Sequence, residues 1–222
     1  MRTRVSEALG IEFPILAFSH CRDVVAAVSK AGGFGVLGAV AHSPELLDQE
    51  LSWISEQTAG RPFGVDLLLP PKYVGADQGG LDGGRIRALL PEEHQAFLDD
   101  LLARYDIPVP EDSERLTPGG GLNISPKGYE PLLDVAFSHD IRLIASALGP
   151  PPPDVVERAH DSEVVVAALA GTARHAVRHA EAGVDLVVAQ GTGAGGHTGE
   201  VATMVLVPEV VDAVSPVPVL AA

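Results

Sequence analysis

The chain is short of cysteine, of aromatic side chains and of positive charge, and each shortage narrows what it can be. A single cysteine, Cys21, in 222 residues leaves no internal disulfide framework and fits a reducing cytoplasm. Aromatics make up 5% of a chain that is 46% hydrophobic, so Ala, Val and Leu must do most of the packing, as they do where helices approach a parallel sheet. Lys and Arg number 15 against 30 Asp and Glu, a formal charge of −15. Such a field repels phosphate backbones and argues against a nucleic-acid partner. No apolar run approaches the ~18–20 residues of a membrane-spanning helix, and no basic-apolar leader precedes the folded pattern after Met1-Arg2-Thr3-Arg4. The expectation is a soluble, cytoplasmic protein with one sizeable core, a single domain over residues 1–222.

What the chain has is an alternation of short apolar runs with longer amphipathic stretches. Pro14–Ser19, Phe34–Val40, Phe63–Leu69, Ile141–Ala147, Glu163–Leu169, Val184–Gln190 and Val217–Ala222 read as seven strands. Cys21–Ala31, Ser43–Thr58 and Thr172–Ala182 read as helices between them. In the second of these Ser43 can cap, Pro44 suits the first helical position, and Leu47, Leu51 and Ile54 share a face. Near-continuous Val/Ile/Leu strands alternating with helices predict a parallel sheet covered on both faces. A weak internal repeat agrees: Ala31-Gly32-Gly33 and Ala182-Gly183 both place glycine where a helix must end before a strand. That turn needs a left-handed backbone.

From Pro70 to about Tyr129 the texture changes. Gly79-Gly80, Gly83-Gly84, Gly119-Gly120-Gly121 and several prolines surround one helix-like stretch, Pro91–Tyr105. The interruption is too long for an ordinary β/α connection and is assigned as an insertion over 71–138 after strand three. It reads either as a lid or wall, or as a surface excursion or assembly contact. Two architectures fit the repeating units, an open doubly wound sheet and a TIM barrel, and periodicity does not separate them.

Directly after the strand Val184–Gln190 comes Gln190-Gly191-Thr192-Gly193-Ala194-Gly195-Gly196-His197-Thr198-Gly199-Glu200. Four glycines between Gly191 and Gly196 let the backbone approach a ligand and offer it N–H groups. In a parallel β/α protein this loop sits at the C-terminal edge of the strands, where such folds bind ligands. Gly191, Gly193 and Gly196 match G-x-G-x-x-G, but the dinucleotide context is poor: Thr198-Gly199 interrupts before Glu200–Val207, Pro208 follows soon after, and no acidic strand end lies about 20 residues on. A histidine in such a loop suits a base, since its ordinary pKa is near 6.5. The alternative is an exposed loop histidine.

The segment AQGTGAGGHTGE, preceded by AGVDLVV and followed by LVPEVVDAVSPVPVLAA, resembles the nitronate monooxygenase family, as do AAVSKAGGFGVLGA and FGVDLLLP. That family also includes flavin-dependent enoyl-acyl-carrier-protein reductases. The resemblance covers roughly residues 10–70 and 140–222. It implies a (β/α)8 TIM barrel with FMN at the C-terminal ends of the strands. It also implies that His197, in the AGGH motif, is the catalytic base or substrate-orienting group. Gln190 matches a glutamine that contacts the flavin ring, and Gly195, with Gly196 beside it, a backbone contact to FMN. Asp66 stands where the family usually has Asn. An Asn can donate to and accept from the flavin pyrimidine edge, whereas an ionised Asp only accepts. Asp66 is therefore protonated, or uses another partner, or weakens flavin binding. The first strand carries Ala17-Phe18-Ser19-His20 in place of the family's APM; backbone contacts from Ala17 and Phe18 survive that change.

Other side chains carry less. His20 is either a second histidine of the site or a helix-capping or surface group, and Cys21 reads as a small buried cysteine rather than a nucleophile. His175 and His179 have metal-ligand spacing on a helix, but no third ligand is evident and Arg174 and Arg178 suggest a solvated face; no metal is expected. His42, His94, His139 and His160 carry no pattern.

A TIM barrel typically needs about 250 residues and eight strands, and Ala221-Ala222 falls inside the seventh strand. The expectation is a C-terminally truncated barrel of a longer enzyme, lacking the phosphate-binding loops after strands seven and eight. Alone it would bind FMN weakly or aggregate through exposed sheet edges. The implied reaction is oxidation of alkyl nitronates by O2 through FMN, giving a carbonyl compound and nitrite. The alternatives are an FMN-dependent NAD(P)H reductase of the enoyl-ACP or quinone type, and a noncatalytic truncated barrel. The small-molecule nitronate and O2 are the expected partners, and a homo-oligomer is left open.

Overall fold

A computed structural model describes residues 2–73, 75–78, 80, 88–108 and 124–222. Gly79, Gly83-Gly84 and Gly119-Gly120-Gly121 lie outside the described residues. All seven expected strands are present: β1 (Leu16–Ser19), β2 (Phe34–Gly38), β3 (Phe63–Leu67), β4 (Leu143–Ser146), β5 (Val165–Ala170), β6 (Leu186–Ala189) and β7 (Val219–Ala221). They form one parallel sheet in the order β1-β2-β3-β4-β5-β6-β7.

That order decides between the two architectures. A doubly wound sheet reverses its strand order at a switch point, with helices on both faces. Here every strand is added on the same side of the last. With right-handed crossovers, all the connecting helices then fall on one face, and the sheet curls so that its other face closes on itself. The fold is that of a (β/α)8 TIM barrel, represented by seven strands.

The crossover helices are α2 (Arg22–Lys30), α3 (Pro44–Thr58), α5 (Pro126–Ser138), α6 (Pro153–Asp161), α7 (Ala173–Glu181) and α8 (Thr203–Val214), while α1 (Arg4–Leu9) precedes β1 and α4 (Glu92–Arg104) lies between β3 and β4. Local chemistry sets several boundaries as expected. Ser43 caps α3 by accepting from the Leu46 N–H at 3.2 Å, with Pro44 in the first turn. Gly32 (φ 93°) and Gly183 (φ 87°) take the left-handed turn between helix and strand. Helix α8 differs from expectation, for it runs through Pro208. Proline there removes the bond to the Met204 carbonyl, but Met204 is 87% exposed, on the side where water can replace the bond. Leu206, Val210 and Val214 on the opposite stripe are buried, and their packing wins.

Strand residues alternate between two cores. Leu37, Val65, Ile144 and Val166 point outward and pack with Val25, Leu47, Leu51, Ile54, Leu132 and Val155 of the helices. Phe34, Val36, Leu143, Ala145, Ala167 and Leu186 point inward, where Val5 and Leu9 of α1 join them. Helix α1 thus plugs the N-terminal end of the strands.

The segment between β3 and β4 also corrects the 71–138 assignment. Tyr129, Leu132, Leu133 and Ala136 of α5 are buried in the outer core, so α5 is the crossover helix and the additional stretch ends before it. Helix α4, expected over Pro91–Tyr105, buries none of its residues. Among the described residues no helix is long and apolar enough to cross a membrane.

Candidate active site

Parity along each strand fixes what faces the barrel mouth. On β6, Leu186 belongs to the inner core, while Val187 and Ala189 pack on the helix side in a further cluster with Ala176, Leu206 and Val210 of α7 and α8. Gln190 therefore continues the inner face, the orientation toward the mouth that the sequence left open. On β3, Phe63, Val65 and Leu67 pack outward, which turns Gly64 and Asp66 inward. On β1, Leu16 joins the inner core, so Phe18 follows it, half exposed at 56%. Ala17 turns outward and offers only its backbone. Gly38, beside Phe18, has no room for a side chain: a Cβ there would meet the Phe18 ring and the His20 imidazole.

The glycine loop is folded on itself at the C-terminal end of β6. Gly199 N–H donates to the Gln190 carbonyl at 3.2 Å and Thr192 N–H to the Val201 carbonyl at 2.9 Å. Gly193 N–H donates to Thr203 Oγ1 at 3.1 Å, and Gln190 Nε2 reaches the Gly195 carbonyl at 3.5 Å. Gly191 allows this closure, since a Cβ on it would strike the backbone of Thr203. The apex is different. A Cβ built on Gly195 or on Gly196 would meet nothing within 4 Å, and Gly196 has φ 72°. His197 is exposed beside them and makes no hydrogen bond among the described residues. The structure thus brings Phe18, Asp66, Gln190, Gly195, Gly196 and His197 to the same end of the sheet.

Asp66 is the buried charge of this end, at 8% exposure. Burial pushes its carboxyl up to about 7, because an anion removed from water without a partner is disfavoured. Of the three fates open to it in the sequence, the protonated one agrees with this environment.

Two side chains correct their sequence readings. Cys21 is exposed, not buried, because it occupies the N-cap of α2 at the rim, with Sγ 3.6 Å from Asp23 Oδ2. His179 does not lie on a solvated face. It is 2% exposed and donates Nε2–H to the Leu169 carbonyl at 3.0 Å, while Arg174 and Arg178 turn outward. For His20 the surface alternative holds: it is exposed and caps no helix, and its Nδ1 lies 3.1 Å from the Gly38 carbonyl while its ring packs edge-on against Phe18 at 5.0 Å. Sequence reasoning passed over His42. Its half-buried ring has a lowered pKa, chiefly from desolvation, offset by Glu50 and reinforced by His20. Its position just past β2 was the available signal.

A cleft of about 400 Å3 opens at the opposite end, lined by Glu7, Arg61, Asp140 and Arg142 among others. The C-terminal ends of α1 and α3 border it, its charges are of mixed sign, and it collects none of the residues singled out above. It carries no site.

Residues 2–222 match the nitronate monooxygenase family. A protein of Mycobacterium tuberculosis, provisionally named a monooxygenase, is 75% identical over 222 residues, covering 100% of this chain and 59% of its own. A Staphylococcus saprophyticus protein, provisionally named nitronate monooxygenase, is 28% identical over 241 residues, again with 100% of this chain and 61% of its own. Among solved structures, nitroalkane oxidase from Streptomyces ansochromogenes superposes with a TM-score of 0.72 at 25% identity, covering 98% of this chain and 59% of that one. FabK from Thermotoga maritima gives 0.67 at 26%, covering 99% and 53%. The chain therefore spans about three-fifths of the length of the relatives it matches. Curled sheet, glycine loop and family match agree: the chain belongs to the nitronate monooxygenase family.

Proposed function

We propose that the barrel mouth holds FMN and that the enzyme oxidises an alkyl nitronate with O2, releasing a carbonyl compound and nitrite. One observation carries this reading: an unpaired histidine, His197, stands on an open glycine apex at the same strand ends as the inward-facing Asp66 and Gln190. The residues present fit a planar ring system. The space over Gly195 and Gly196 is free, Gln190 supplies an amide, Ala17 and Phe18 supply backbone, and Asp66 is a buried carboxyl awaiting a partner. The chemistry supplied by bound FMN is acceptance of two electrons from the substrate and their return to O2.

The protein's own part is binding and proton management. His197 as the neutral imidazole takes the α-proton of a nitroalkane; as the imidazolium it holds the nitronate anion. The N–H groups of Gly195 and Gly196, on the open apex, are the donors that would hold an anionic or carbonyl group near it. The similarity to nitroalkane oxidase supports this substrate class.

The similarity to FabK supports a second reading, an NAD(P)H-dependent flavin reductase acting on an enoyl thioester or quinone. An anaerobic titration of the full-length flavin-loaded protein separates the two. Bleaching of the flavin by propionate 3-nitronate, lost in His197→Ala, is the expected result. Bleaching by NADH alone selects the reductase, and a full-length protein that holds no flavin sinks both.

A further inference from the structure

Asp66 has a neighbourhood that does not answer it. In the sheet it stands beside Gly38 of β2 and Ala145 of β4, neither of which has a polar side chain. From β1 and the residue just past it, Phe18 and His20 fill the space over Gly38. His20 is the titratable group among these neighbours, and its Nδ1 is turned to the Gly38 carbonyl at 3.1 Å. Among the described residues no hydrogen bond or ion pair reaches the Asp66 carboxyl, although the residue is 8% exposed.

The chemistry of that group depends on one proton. A neutral carboxyl presents an O–H donor and a C=O acceptor side by side, whereas a carboxylate only accepts. A paired donor and acceptor match a planar ligand whose edge carries an adjacent carbonyl and N–H, such as the imide edge of a flavin. We propose that Asp66 meets the flavin as the un-ionised acid, donating O–H to a ring carbonyl and accepting a ring N–H, so that cofactor binding at this mouth takes up a proton from solvent when the pH is high. The proposal rests on the flavin reading of the mouth. The burial that raises the Asp66 pKa to about 7 places the onset of that linkage near neutrality. Above it, flavin affinity falls by about tenfold per pH unit. Asp66→Asn keeps a donor and an acceptor without a titrating proton.

The test uses the full-length protein stripped of flavin. Riboflavin, which has no titrating phosphate, and FMN are each titrated from about pH 6 to about pH 9 by quenching of flavin fluorescence. Calorimetry in two buffers of different protonation enthalpy counts the protons taken up. The expected result is a Kd that rises about tenfold per pH unit above pH 7 for the wild type with both ligands, uptake approaching one proton per flavin, and a flat profile for Asp66→Asn. A flat wild-type profile, or a slope unchanged in Asp66→Asn, overturns the proposal and leaves the flavin reading intact. No binding of either ligand at any pH overturns the flavin reading and the proposal together. Should Asp66→Asn fail to fold, the two-buffer proton count on the wild type decides alone.

Discussion

At the N-terminal end of the strands Thr3 and Ser6 cap each other's backbone, Arg4 donates to the Pro216 carbonyl at 3.0 Å, and Asp185 accepts from Val166 N–H at 2.8 Å with His160 at 3.1 Å. Val5 and Leu9 fill the space between. At the C-terminal end the Asp66 carboxyl and the His197 ring have no partner among the described residues, and Phe18 is 56% exposed. Paired polar groups and packed side chains stabilise a fold, whereas a buried unpaired group costs free energy until something answers it. The difference puts stability at one end, and the proposed function puts binding at the other, the usual division of labour in this fold.

The largest effects should cross over between the two ends. His197→Ala, at an exposed loop position, is expected to lower kcat/KM for a neutral nitroalkane by about 10²–10⁴-fold while leaving the thermal midpoint unchanged. Leu9→Ala, at 2% exposure, is expected to cost about 2–5 kcal/mol by urea unfolding and to leave flavin affinity alone. A Leu9 variant that loses flavin in proportion to its stability would break the comparison.

Asp66 sharpens it through pH. In the native state its carboxyl titrates at about 7 against 3.8 in the open chain. Between these values the folded protein holds a proton that the unfolded chain has released, so stability falls as pH rises through this window. The full loss, present above about pH 7, is up to about 4 kcal/mol. Flavin-free Asp66→Asn should lack that slope, and thermal midpoints of both proteins at pH 5 and pH 8, read against the window set by the shift, would check it.

The alternation of strands and helices was legible because apolar runs and glycine turns such as Gly32 and Gly183 are local signals. So was the loop Gln190–Gly199, by its composition. Which face each strand residue takes was not. Strands buried on both sides, such as Val184–Gln190, hide their parity, and Asp66 is one of the few polar markers of it. Burial set by tertiary packing was equally hidden. His179 follows two arginines one turn apart, Arg174 and Arg178, and reads as solvated, yet its ring turns under β5. Cys21 reads as buried, yet the chain puts it at a rim. The boundary of the insertion failed for a related reason: Pro126 and Pro131 look like loop, but Leu132, Leu133 and Ala136 supply a buried stripe that a helix satisfies.

The smallest effect tests the comparison from the other side, since His179 is an unsatisfied group away from the mouth. Its Nε2–H is committed to the Leu169 carbonyl, which leaves Nδ1 bare and buried without a partner. Desolvation therefore lowers its pKa, with the Leu169 bond opposing and His175 adding to the shift. The unfolded chain takes up a proton at 6.5 that the native state refuses. Stability from this residue is thus complete above that pH and drains as pH falls below it, by at most about 1.4 kcal/mol per pH unit. His179→Gln keeps an N–H donor and cannot titrate, so its midpoint should drop less than the wild type's on acidification below 6.5. Equal drops in both proteins would mean that Nδ1 finds a partner in solution. In that event an unpaired atom in this fold would no longer point to a ligand, and the Asp66 carboxyl would lose the standing that sets the mouth apart.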